Sequence, residues 1–285
     1  MEPTVRTLAV PGATLHYEVR GSGPVLLLIC GGIYDAAGYA GLAGLLADRY
    51  TVVTYDRRGN SRSPLDGPPE PQRVDVHADD ASRLLAEVSP GEPAFVFGNS
   101  SGGQIAVALV ERHPEQVRTL VAHEPSLLML LPDPEHWESV IADVERAYRD
   151  GGVGPAMETF GAGLGMGGGE SDDHEHDSAD QHAGAADPEM LKMFARFEKN
   201  TDFFVGYEVP GFGRWVPDVD ALRRSPTRIV LVAGEKSAGE PPHQAVHALA
   251  ERLGTKAETY PGDHGGFGQE AEAFATRLHA VFSTP

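Results

Sequence analysis

The chain is short of several things, and each shortage narrows what it can be. It has one cysteine in 285 residues, Cys30, so no internal disulfide can form and nothing points to an oxidising compartment. It is short of positive charge. Twenty-three Lys and Arg face 42 Asp and Glu, for a net charge of -19. Nucleic-acid binding needs a basic face, and anionic membranes attract polybasic segments, so neither partner is expected. It lacks a long apolar run. The longest aliphatic stretch, Val25-Leu26-Leu27-Leu28-Ile29, is far too short to span a bilayer. The opening residues Met1-Glu2-Pro3-Thr4 carry no basic-then-apolar pattern of a signal peptide, and a cytoplasmic, soluble protein is expected. No dinucleotide motif adjoins the residues singled out below, and no cofactor is expected. The sequence leaves the oligomeric state open, a homodimer included.

What is present is an alternation of short β-rich runs and helical patterns. Residues 5–10 and 14–19 read as strands joined by the turn Pro11-Gly12-Ala13. Residues 25–29, 51–55, 94–97, 119–122, 228–233 and 256–260 read as further strands. Residues 38–49, 76–88, 105–112, 243–253 and 270–282 carry helical spacing. Such alternation predicts an α/β fold: a mostly parallel sheet with helices on both faces. The pattern breaks in the middle, which divides the chain into a core of residues 1–125 and 218–285 and an inserted, mainly helical cap of residues 126–217. Within the cap, residues 135–149 and 188–199 look helical. Residues 165–186 are rich in Gly, Asp and His and are expected to be a mobile loop. Its carboxylates and histidines lack a defined ligand spacing, so no metal site is expected there.

The most informative stretch is Phe95-Val96-Phe97-Gly98-Asn99-Ser100-Ser101-Gly102-Gly103. It places G-x-S-x-G between a strand and a helix, where a serine is held in a tight turn with its hydroxyl exposed at the sheet's edge. The glycines let helix and strand approach without Cβ clashes. The amide of Ser101 then sits at a helix N-terminus, where partial positive charge favours an oxyanion. Leu28-Ile29-Cys30-Gly31-Gly32 ends the first buried strand, and the amide of Gly32 is a candidate second donor. Tyr260-Pro261-Gly262-Asp263-His264 follows the last strand, so that His264 can reach Ser100. The polar run from Asp56 to Ser63 suits a structural turn with no catalytic part.

These residues together resemble the α/β-hydrolase superfamily, over roughly residues 5–125 and 228–282, with the cap unmatched. The resemblance implies a serine hydrolase whose catalytic residues run in the order nucleophile, acid, histidine, with Ser100 first and His264 last. The commonest family pattern carries an Asp just past the strand 228–233, but this chain reads Gly234-Glu235-Lys236-Ser237 there. Glu235 stands too early to face the histidine, and Asp263 is its immediate neighbour. Glu124, in Val121-Ala122-His123-Glu124-Pro125, follows the strand after the serine turn. Zearalenone-lactone hydrolases are similar in taking their acid from that place. Glu124 is therefore expected to orient His264, with Glu235 as the alternative. The resemblance implies cleavage of a small-molecule carboxylic ester or lactone through an acyl-enzyme. Cleavage of a C–C bond, transfer of the acyl group, or a non-catalytic ligand-binding role are the other readings the fold allows.

Overall fold

A computed structural model describes residues 2–165 and 188–284. Eight strands form one sheet: β1 (Thr4–Val10), β2 (Ala13–Arg20), β3 (Val25–Ile29), β4 (Thr51–Tyr55), β5 (Ala94–Asn99), β6 (Val117–His123), β7 (Arg228–Gly234) and β8 (Glu258–Tyr260). Their order is β1-β2-β4-β3-β5-β6-β7-β8. The β1–β2 hairpin joins β4 antiparallel; β4, β3, β5, β6, β7 and β8 run parallel. β3 lies between β4 and β5, with Leu27 opposite Val53 on one side and Val96 on the other. Covered on both faces, it reads in sequence as an unbroken apolar run rather than an alternating one.

Alternate residues of these strands feed two cores. Leu27, Ile29, Val53 and Val96 face one side, where α2 (Val74–Val88), α3 (Ser101–Arg112) and α9 (Pro241–Leu253) pack. Leu26, Leu28, Val52 and Phe97 face the other, against α1 (Ala40–Leu46) and α11 (Ala271–Phe282). α10 (Gly266–Gln269) and α8 (Val219–Arg224) are short connectors.

Between β6 and β7 lie α4 (Pro134–Gly151), α5 (Val153–Gly163), α6 (Pro188–Phe203) and α7 (Val209–Phe212). Asp133 starts α4 by accepting the His136 amide at 3.1 Å, with Pro134 in the first turn, where a missing N–H costs nothing. α6 runs into a π-turn at Phe204–Glu208 before α7. Pro210, just beyond it, has no amide with which to continue the α-helical ladder, and the widened turn accommodates that gap. Val144, Ala156, Val205 and Val209 give this layer its own small apolar centre.

Two sequence expectations shift. The helical pattern at residues 38–49 is a 3₁₀ turn, Ala36–Tyr39, followed by α1. α5 falls in a stretch whose glycines hid its helical character. The expected mobile loop at 165–186 lies, beyond Gly165, outside the described residues.

Candidate active site

The turn from β5 into α3 holds Ser100 at φ 55°, ψ -125°, a conformation a side chain seldom adopts. The flanking glycines are a steric requirement. A Cβ on Gly98 would meet the Gly102 carbonyl oxygen at 2.4 Å, and one on Gly102 would meet the Ile29 oxygen at 2.1 Å. The Ser100 amide donates to the His123 carbonyl at 3.0 Å, tying the turn to the end of β6. The Ser100 hydroxyl shares a hydrogen bond with Ser126 Oγ at 3.1 Å. Among the described residues it makes none to His264, although both line the same cavity.

Glu124 follows β6, also at positive φ, 44°, with its side chain fully buried. Its two oxygens have separate partners. Oε2 accepts from His264 Nδ1 at 2.7 Å. Oε1 accepts from the Gly234 amide at 2.7 Å and from the Ser237 hydroxyl. Burial alone would raise this carboxyl, but the hydrogen bonds from His264, Ser237 and Gly234 outweigh it and hold it at about 2. Glu124 is thus a carboxylate at neutral pH, which requires the hydrogen on His264 Nδ1 and leaves Nε2 as the ring's acceptor.

Glu235 goes elsewhere. Its side chain is exposed, and its amide bonds the Tyr260 carbonyl. Asp263 turns back to accept the Gly265 amide at 2.7 Å. Behind His264 the buried ring of His123 stacks at 6.2 Å between centroids. Burial pushes the His123 imidazole down to about 4, so it is neutral there. Asn99 Nδ2 braces the same loop by donating to the His264 carbonyl at 3.1 Å.

The two oxyanion candidates differ from expectation in one respect. Ser101 opens α3, where a helix's first amides have no intrahelical acceptor. The Gly32 amide, however, donates to the Ser101 side chain at 2.8 Å, so the two candidates are bonded to each other. The Gly32 carbonyl accepts from Arg57 Nη2. Arg57 is fully buried and makes a two-pronged pair with Glu208 at 2.9 and 2.8 Å, to which Asn60 Nδ2 adds a bond at 2.9 Å. The turn after β4 therefore fixes the Gly32 loop from below and reaches into the π-turn of the helical layer above. Cys30, beside it, is pushed up to about 12 by burial and stays a thiol.

Ser100 and His264 open into a cavity of about 300 Å³. Its walls are apolar and come largely from the helical layer, Ile141, Val144, Met157, Phe160 and Phe204 among them. Trp137, Phe203, Tyr207 and Trp215, aromatics of the same layer, are not among its lining residues. Among the described residues no cluster of His, Cys, Asp and Glu could hold a metal ion, and no helix is long and apolar enough to cross a membrane.

Sequence reasoning did not find Ser126, Ser237 or the Arg57–Glu208 pair. Ser237 could have been read, since it stands in the very loop where the commoner acid is sought. The ion pair joins residues 151 apart and leaves no local signal.

A family model described as alpha/beta hydrolase fold matches residues 24–152. A protein from Bacillus subtilis named uncharacterized hydrolase YraK is 38% identical over 279 residues, covering 96% of this chain and 94% of that one. The chain belongs to the α/β-hydrolase superfamily and is a hydrolase of that fold. Two solved structures share its architecture at low identity. A thermophilic esterase from Thermogutta terrifontis superposes with a TM-score of 0.70 at 19% identity, covering 99% of this chain and 98% of that one. The enol-lactonase from Burkholderia xenovorans gives 0.67 at 18%, covering 98% and 100%.

Proposed function

We propose that the chain is a serine hydrolase that cleaves carboxylic esters or lactones through an acyl-enzyme, with Ser100 as nucleophile, His264 as general base and Glu124 as the acid that orients it. The observation that carries this reading is the ionised Glu124 bonded to His264 Nδ1 beside a strained serine turn. It leaves Nε2 free to accept a proton on the cavity side. The esterase and lactonase names among the structural neighbours agree with it.

In this reading the Ser100 hydroxyl leaves Ser126 for His264 Nε2 as substrate enters. The proton moves to Nε2 while Oγ bonds the carbonyl carbon. Glu124 stabilises the imidazolium that results. The oxyanion meets the Ser101 amide. The Gly32 amide and Ser101 hydroxyl already bond each other, and that pair still has the hydroxyl proton to give. The tetrahedral adduct collapses as the imidazolium protonates the leaving alkoxide. Water, deprotonated by His264, then attacks the acyl-enzyme and releases the carboxylic acid and the free serine. Residues 126–217 act as the cap that shapes the acyl and alcohol sites.

The test is covalent labelling. A fluorophosphonate should modify the wild-type chain stoichiometrically and abolish aryl-ester hydrolysis, with the label on Ser100. Ser100→Ala should lose both labelling and turnover while keeping its far-UV dichroism. Labelling elsewhere, or turnover retained in the variant, would refute the assignment.

A further inference from the structure

The charge around the cavity says what kind of ester it suits. Of the described residues that line it, none is lysine or arginine; among them Glu240 is the one carboxylate and His264 the one base. Two arginines that bond at or beside lining residues are already matched. Arg57, behind Gly32, has its charge met by Glu208, both side chains being fully buried. Arg196 is paired with Asp35 at 3.0 Å. The chain as a whole carries -19.

Glu240 stands where this charge acts on an incoming molecule. It directly precedes α9, lines the cavity next to Pro241 and Pro242, and is exposed, which places it where the cavity meets solvent. A carboxylate on the substrate would pass this negative charge and then lie among apolar side chains, with no lysine or arginine among the described lining residues. Both steps are unfavourable, the second strongly so. A neutral chain meets neither obstacle. Size narrows the class further. At about 300 Å³ the cavity is at the lower end of ligand sites, which suits a short or medium acyl chain and leaves little room for a macrocycle.

We propose that the natural substrate class is neutral, apolar esters or lactones of short to medium chain, that carboxylate-bearing analogues are rejected, and that Glu240 is a specificity-determining residue for this choice. The inference rests on the ester-hydrolase reading above, and its test separates the two. Ethyl hexanoate and monoethyl adipate have the same acyl length and differ by one terminal carboxylate. Followed by pH-stat titration, ethyl hexanoate should have a kcat/KM at least roughly 100-fold higher. Glu240→Lys should shrink that ratio by roughly tenfold or more, because it reverses one charge at the mouth. In parallel, Ser100→Ala should release a neutral apolar dye when given N-ethylhexanamide, and release far less with the mono-N-ethylamide of adipic acid. If wild type hydrolyses both esters within tenfold of each other, or prefers the adipate, the charge inference fails and the hydrolase stands. If Glu240→Lys leaves the ratio unchanged, Glu240 has no part in the selectivity. If neither ester is cleaved but the neutral amide alone displaces the dye, the hydrolase reading fails and the selectivity stands. If both amides displace it equally, the selectivity fails whatever the catalytic result.

Discussion

Glu124→Gln is the sharpest test of the acid, because the two carboxylate oxygens have unlike partners. A glutamine offers one carbonyl oxygen and one amide nitrogen in their place. The Oε1 position faces two donors, the Gly234 amide and the Ser237 hydroxyl. An NH₂ there would set donor against the fixed amide hydrogen, so the glutamine oxygen takes that side. Its NH₂ then faces His264 Nδ1, which must become an acceptor. The ring's hydrogen moves to Nε2, the nitrogen that has to receive the serine proton. The variant folds but carries the wrong tautomer. The comparable Asp-to-Asn change in a serine protease triad lowers kcat by about 10⁴. The longer glutamine has an extra rotatable bond to relieve the mismatch, so a loss of roughly 10² to 10⁴ is expected here. Steady-state kcat on an activated ester reads it, with the urea midpoint as the check on folding. Glu235→Gln, with its side chain in solvent, should change kcat less than about threefold. A Glu124→Gln loss under tenfold, or a larger loss in Glu235→Gln, would refute the assignment of the acid.

Three further outcomes follow from the same geometry. Ser237→Ala removes one of the two donors to Oε1 while Gly234 remains, so steady-state kcat on an activated ester should fall by no more than about tenfold; a loss as large as that of Glu124→Gln would refute this division of the two oxygens. Glu208→Ala strands the buried Arg57 charge and should cost about 3–5 kcal/mol in chemical denaturation; replacing Arg57 by Met and Glu208 by Leu together should recover much of that. Stability should also fall in mild acid through His123. Its imidazole titrates near 4 folded, against an ordinary value of 6.5, so the unfolded chain takes up the proton first. The contribution is complete above about pH 6.5 and is lost by about pH 4, about 3 kcal/mol in all. His77, held down by burial as well, adds to the same slope. Urea titrations at pH 7 and 4.5 should show a smaller difference for His123→Phe than for wild type; equal differences would refute the assignment.

Most of the frame was legible because it is written locally. β3 is a five-residue apolar run with turn residues at its ends, and the β1–β2 hairpin announces itself at Pro11-Gly12. The serine turn needs glycines at fixed offsets, and the clash distances at Gly98 and Gly102 show why a motif survives as a motif. α5 was not legible. Gly154, Gly161 and Gly163 depress its helical propensity, and it is held instead by tertiary packing of residues such as Ala156, fully buried against α4 and the π-turn. The pairing of Gly32 with the Ser101 side chain depends on two loops meeting, which spacing along one chain does not encode. Ser237 illustrates a subtler case. Its position was found, but its task, holding a carboxylate rather than being one, depends on where Glu124 points.

The Arg57–Glu208 pair bears on how molecules reach Ser100. Lifting the helical layer as a body would part the two buried charges, release the Asn60 bond and free the Gly32 carbonyl from its clamp. An opening that carried both charges into water would regain their hydration, so the pair by itself sets no high barrier to it. What the pair does fix is register: Arg57 holds the Gly32 carbonyl and Glu208 together, so a displacement of the helical layer is felt at the Gly32 loop.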